Sequence, residues 1–339
     1  MNAKTKLALT AAVVISGLLL AWLAWHRNPS RDVPLRFWAV SFSPDGATLV
    51  TTAGHGGGSG VEPAGQAVFW DVEKKKMKGA YRQSSSIRSV AWAPDGSFVV
   101  IGDFNGSTKV LQAHTREILA ILPPHSDVVT AVAVSNDGKM IASGSCDGSI
   151  ILSDAKGKEL DTLVLPHDRV FSLALAPDAQ ALVATGEKGK AYLFRLNPRS
   201  GPGTVAAYEG PPVQKAFVEA VCFAPDGRTF VTGCHSCLRL WDSANGNLIR
   251  EFKGVTGKIN SADFSSNGKA LATVDSAGKL AVWNPATGEC NNSTDAHRGG
   301  SYGVAYSPSG QRIASVGRED YCLKLWDPRS LIMKASIKR

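Results

Sequence analysis

An all-β propeller of seven blades, each of four antiparallel strands and the whole preceded by one transmembrane helix, is the architecture this sequence predicts. Three observations predict it: a five-residue phrase that returns seven times, apolar residues alternating just ahead of each copy, and one uncharged run near the N-terminus. The phrase reads FSPDG at 42, WAPDG at 92, VSNDG at 134, LAPDA at 175, FAPDG at 223, FSSNG at 264 and YSPSG at 306. Its fifth residues are Gly46, Gly96, Gly138, Ala179, Gly227, Gly268 and Gly310, spaced by 50, 42, 41, 48, 41 and 42 residues. A period near 40–45 residues built of short strands marks a propeller or a similar array.

The elements follow in order. Residues 1–6 form a short basic tail, and residues 7–25, LALTAAVVISGLLLAWLAW, carry no charge. As a helix this run spans about 28 Å, close to the roughly 30 Å hydrocarbon core. A cleaved leader has a shorter apolar run and a small-x-small site, which the pairs Ala21/Leu23, Trp22/Ala24 and Ala24/His26 do not supply. No cysteine for lipid attachment precedes Cys146, and Trp22 and Trp25 suit an interfacial belt. An uncleaved signal-anchor in the lipid bilayer is expected, with residues 26–36 as linker and 37–339 as the propeller. Lys4, Lys6 and the amino terminus nearly balance Arg27, Arg31 and Arg36, less Asp32. A short basic tail stays inside, which places the propeller on the non-cytoplasmic side. Six cysteines leave the compartment open.

Within each repeat, the residue two places before the Pro position is Phe42, Trp92, Val134, Leu175, Phe223, Phe264 or Tyr306. Two earlier stand Val40, Val90, Val132, Leu173, Val221, Ala262 and Val304. This period of two identifies a first strand with one buried face. Pro-Asp-Gly then turns the chain, Asp bonding its own backbone and Gly taking positive φ. Second strands follow, as in TLVTTAG or MIASG. Third strands end near VFWD, LRLWD, AVWN or LKLWD, and fourth strands such as EILAIL or LIREFKG complete the unit.

At these residues the chain resembles the WD-repeat (WD40) family, with the signature dipeptide at Trp70-Asp71, Trp241-Asp242 and Trp326-Asp327 and a near match at Trp283-Asn284. Leu111-Gln112, Ser153-Asp154 and Phe194-Arg195 fill the same column in degenerate form. The resemblance implies a structural hydrogen-bond network within a blade, for which the last repeat offers His297, Ser315, Asp320 and Trp326. His125 and His167 open the third and fourth repeats similarly, with incomplete networks expected because Ser153 and Phe194 replace Trp.

If strands a to d run from the centre outwards, the a–b and c–d turns share one face, and the b–c and d–a loops the other. Both ends of the propeller fall on the latter face. Seven complete repeats leave no surplus N-terminal strand, so closure by packing between the first and last blades is expected. GHGGGSGVEPAG at 54–65 becomes a b–c loop of the first blade. A phosphate-cradling GxxxxGK[ST] needs a Lys after the glycines and a following helix, and this loop has neither. Its position is similar to the glycine-rich first-blade loop of the membrane-anchored exchange factor that starts COPII coat assembly, although SGVEPAG stands where that family carries a Lys-containing stretch. That resemblance implies guanine-nucleotide exchange as the alternative function.

Cys234 and Cys237 flank His235 and Ser236 in another b–c loop. One CxxC is half a zinc site, and no second pair lies near; a plain turn of small residues is expected, with a local disulfide open. The net charge is +8, but the one dense basic run, EKKKMK at 73–78, reads as a solvated turn. With no interleaved aromatics, nucleic acid is not an expected partner. No catalytic constellation, cofactor, metal or small-molecule substrate is indicated. The expected function is a non-catalytic scaffold for an unidentified protein partner, engaged through a rim that includes His55, His235, Arg318 and Tyr321. GREDY at 317–321 and the long connection 197–217 share that face.

Overall fold

Short apolar strands separated by Asp-Gly turns dictate the architecture found in the computed structural model, which describes residues 35–55, 65–196, 203–206 and 217–338. Seven four-stranded antiparallel sheets follow one another along the chain. Blade one comprises β1 (Arg36–Phe42), β2 (Thr48–Gly54), β3 (Gly65–Asp71) and β4 (Lys76–Gln83); blade two β5 (Ile87–Trp92), β6 (Phe98–Asp103), β7 (Thr108–Gln112) and β8 (Ile118–Ile121). Blade three holds β9 (Val129–Val134), β10 (Ile141–Ser145), β11 (Ser149–Ser153) and β12 (Glu159–Val164). Blade four holds β13 (Val170–Leu175), β14 (Ala181–Gly186), β15 (Ala191–Arg195) and β16 (Gly203–Ala206). Blade five is β17 (Ala220–Phe223), β18 (Thr229–Cys234), β19 (Cys237–Asp242) and β20 (Leu248–Glu251). Blade six is β21 (Ile259–Phe264), β22 (Leu271–Asp275), β23 (Lys279–Asn284) and β24 (Glu289–Asp295), and blade seven is β25 (Ser301–Tyr306), β26 (Ile313–Gly317), β27 (Cys322–Trp326) and β28 (Met333–Lys338).

Burial follows position in the blade. Second strands such as TLVTTAG of β2 and FVVIG of β6 are buried along their whole length, because both faces of each sheet pack on neighbouring blades. Outer strands such as β8 and β20 are largely exposed. Each repeat turn closes the same way: the side-chain oxygen of Asp45, Asp95, Asp137, Asp178, Asp226, Asn267 or Ser309 accepts the backbone N–H two residues on, at 2.9–3.4 Å. The next residue has positive φ in all seven, including Ala179 at 56°, where a Cβ is least tolerated.

The ring closes between blades one and seven. Blade seven takes its outermost strand, β28, from its own repeat, and β1 packs directly against β25. A Cβ on Gly303 would stand 3.2 Å from the Val40 backbone nitrogen and 3.3 Å from the Ala39 Cα, so the absence of a side chain there sets how closely the two blades approach.

Some expectations change. Arg36, assigned to the linker, already belongs to β1. The long connection 197–217 contains the outer strand of blade four, β16, where Leu193 pairs with Ala206 and Arg195 with Gly203. The expected anchor at 7–25 and the glycine-rich stretch 56–64 lie outside the described residues. Among the described residues, no helix is long and apolar enough to cross a membrane.

Candidate functional site

Six of the seven innermost strands share one irregularity. In each the pairing with the second strand slips near its start, after the first paired residue or, in blade one, after the second, leaving the next residue bulged: Trp38, Arg88, Thr130, Phe171, Asn260 and Tyr302. Glu219, one place before β17, holds the same position in blade five, its N–H bonded to the Gly233 carbonyl at 3.1 Å. A bulge re-aims the side chain that it carries. All seven are partly exposed, whereas the residues just before them, from Phe37 to Ser301, are buried.

These seven residues line a cavity of about 460 Å³ at the centre of the propeller. They start the first strands and therefore ring its mouth on the face of the b–c and d–a loops. The next residues are Ala39, Ser89, Ala131, Ser172, Ala220, Ser261 and Gly303, all small, so the space beneath the ring stays open.

The ring has two chemically distinct arcs. Across blades seven, one and two, Trp38 stacks on Tyr302 at 5.0 Å between centroids and lies 5.5 Å from Phe104. The Arg88 guanidinium sits 4.7 Å from the Trp38 ring and 5.8 Å from Tyr302, and Arg318 lies 5.8 Å from Tyr302. Across blades four to six, Phe171 meets Phe217 edge-on at 5.6 Å, and Lys258 both approaches Phe217 at 5.6 Å and pairs with Glu219 at 2.6 Å. The two uncharged polar side chains of the ring join blades: Thr130 donates to the Val170 carbonyl at 2.8 Å, and Asn260 to that of Ser301 at 2.8 Å.

Of the expected rim, Arg318 reaches this ring. Tyr321 lies in the same β26–β27 loop with φ of 51°, and His55 follows β2 in the adjoining blade one. His235 is exposed in blade five and bridges to Lys258 of blade six, so the structure does not bring the four together. The plain turn expected at Cys234 and Cys237 is corrected: they are disulfide-bonded. A two-residue β18–β19 loop sets them directly opposite, with Cα atoms 5.1 Å apart, inside the usual range for a bridge.

In blade seven, His297 Nε2 meets Ser315 Oγ at 2.7 Å, its Nδ1 meets Asp320 at 2.9 Å, and Trp326 donates to Ser315 at 2.8 Å. Burial works to raise the Asp320 pKa, but the hydrogen bond and charge of His297, reinforced by Lys324, hold it at about 2. The indoles of Trp70, Trp241 and Trp283 donate to Thr51, Thr232 and Thr273 in the same way. His125 bonds Ser143 and Ser149 at 2.8 Å, while the buried Ser153 hydroxyl has no partner among the described residues. In blade four the expectation at His167 is corrected: His167 is exposed, and buried Asp168 accepts the Glu187 N–H at 2.8 Å and the Tyr192 hydroxyl at 3.0 Å. The sites of His297 and its partners are thus blade joints, distant in kind from the channel mouth.

Sequence reasoning missed the ring. Its signal was a column eight places before each turn glycine whose occupants, Trp38 to Tyr302, share no chemistry, between a column apolar in six of seven repeats and one that is uniformly small. Among the described residues, no group of three or more His, Cys, Asp or Glu side chains is arranged to hold a metal ion.

The WD domain, G-beta repeat family matches residues 116–154, 204–242, 246–284 and 288–327, and the anaphase-promoting complex subunit 4 WD40 domain matches 66–134. The chain is similar to an uncharacterized WD repeat-containing protein of Schizosaccharomyces pombe, 47% identical over 58 residues that cover 16% of this chain and 14% of that one. It is also similar to cilia- and flagella-associated protein 52 of Chlamydomonas reinhardtii, 31% identical over 113 residues, 33% of this chain and 18% of that one. With polyadenylation factor subunit 2 of Candida albicans it shares 25% identity over 146 residues, 40% of this chain and 26% of that one. The matches thus span no more than 26% of these relatives' own length. Matched repeats and seven four-stranded sheets together make this a chain of WD40 repeats folded as a seven-bladed propeller.

Proposed function

We propose that this chain is a membrane-anchored, non-catalytic scaffold that binds a segment of a protein partner across the channel mouth. The observation that carries the reading is the ring: where the following column of the repeat is uniformly small, this one supplies three aromatics, a cation, an anion, Thr and Asn, partly exposed around a cavity of about 460 Å³. Aromatic and Arg side chains lining a concave surface are the groups that dominate partner binding. Arg318, Tyr321, His55 and His235 extend the same face.

The division into tail 1–6, anchor 7–25, linker and propeller is part of this proposal, with the boundary at 36/37 moved so that Arg36 belongs to the propeller, and the uncharged run supports the anchor. Placement of the propeller outside the cytoplasm draws support from the Cys234–Cys237 disulfide, since such bonds persist in oxidising compartments. Nothing among the described residues favours nucleotide exchange.

Photocrosslinking tests the reading. A photoreactive phenylalanine analogue replaces Phe171 or Tyr302 in the full chain, or Ile121 on the outer edge of blade two, which is 62% exposed. Discrete partner adducts are expected from the two ring positions and not from Ile121. Adducts from Ile121 alone, or equally from all three, would sink the proposal.

A further inference from the structure

The polar groups of the ring do not balance. Thr130 and Asn260 each donate to a backbone carbonyl of a neighbouring blade, and Glu219 pairs with Lys258 at 2.6 Å. Arg88 stands apart: a guanidinium has five N–H donors, and among the described residues no oxygen accepts from it. The shortage extends around it, because Trp38 Nε1 and Arg318 Nε are also buried without an acceptor among the described residues. This arc of the mouth is rich in donors and poor in acceptors.

Geometry makes Arg88 a receptor rather than a loose surface charge. The faces of Trp38 and Tyr302 fix its guanidinium at 4.7 and 5.8 Å. Loss of hydration draws its pKa down against the opposing charge of Glu219, so a second anion close by would be favoured. A planar guanidinium held this way matches the two oxygens of a carboxylate. A phosphate dianion would call for a cluster of cations, whereas here Glu219 lies in the same ring.

We propose that the channel mouth receives a carboxylate side chain from an acidic peptide segment, bound by Arg88 against Trp38 and Tyr302, with flanking apolar side chains on Phe104 and Phe171. This rests on the mouth being the partner-binding surface.

Fluorescein-labelled peptides Gly-Phe-Glu-Phe-Gly, its Gln counterpart and its phosphoserine counterpart, all amidated, would be titrated by anisotropy into the full chain in detergent micelles. The Glu peptide is expected to bind at least tenfold more tightly than the Gln peptide. Arg88→Gln should erase that difference without altering the weak binding of the Gln peptide, and Arg88→Lys should retain part of it; thermal unfolding checks that both variants fold. Lys139→Gln, on the opposite face, should change nothing, which separates the site from the overall positive charge. Equal binding of Glu and Gln peptides, or no measurable binding at millimolar peptide, overturns the proposal, as does preference for phosphoserine. Phe171→Ala separates the two readings: if it weakens Glu and Gln peptides alike while they bind equally, the mouth is a binding surface and only the carboxylate assignment fails.

Discussion

Asp263 stands five places before its turn glycine, in a column that other repeats fill with Ser41, Ala91, Ala133, Ala174, Cys222 and Ala305. Its carboxylate accepts the Tyr306 N–H at 2.7 Å and so ties blade six to blade seven. Enclosure by protein raises its pKa to about 7, against the opposing help of the Tyr306 and Phe264 N–H groups. The folded-state value lies above the ordinary carboxylate value, so the stabilisation it brings is complete below about pH 4 and is lost as pH rises through 7. Stability should therefore fall between about pH 4 and pH 7 by an amount on the order of a few kcal/mol and level off above that, and Asp263→Asn should flatten that slope. Denaturant unfolding followed by Trp fluorescence across this range measures it; parallel profiles for the two proteins would refute the assignment. Residue roles of this kind were legible only where a dipeptide or phrase carried them. Trp326 and His297 stood in the repeat frame, but the pairing of Cys234 with Cys237 depended on a loop length, and the substitution of Asp168 for His167 on a side-chain direction, neither of which the sequence states.

At the level of strands, the alternation of apolar residues and the Asp-Gly turns announced nearly every element, because both follow from local chemistry. β16 escaped notice since its four residues lie between Gly- and Pro-rich stretches and carry no turn phrase of their own. The bulges were hidden for a different reason: a one-residue slip in pairing leaves the apolar alternation on either side intact, so only the paired structure reveals which residue is turned out. Strand packing also sets the spacing at the ring closure. Gly303 of β25 faces the backbone of β1 across the closure, and Gly303→Val should force blades one and seven apart, at a cost of about 1–3 kcal/mol for overpacking. An unchanged unfolding midpoint in denaturant would show that the seam has slack.

For the molecule as a whole, orientation can be read from one thiol. Cys290 is exposed on the outer strand of blade six, while Cys234 and Cys237 are already bonded. A membrane-impermeant maleimide applied to intact cells should label Cys290, and a Cys290→Ser variant should lose that label; reaction only after lysis would place the propeller in the cytoplasm. The overall architecture was plain from seven phased copies, whereas the partner was not, because a repeat fold is shared among many unrelated activities. A sevenfold scaffold is rotationally degenerate: its blades offer the same backbone every seventh of a turn, and nothing in that frame tells a ligand which way to lie. Only the inequality of Trp38, Arg88, Thr130, Phe171, Glu219, Asn260 and Tyr302 supplies a compass, so moving this set one blade along would turn the bound ligand's heading while leaving the strand framework where it is.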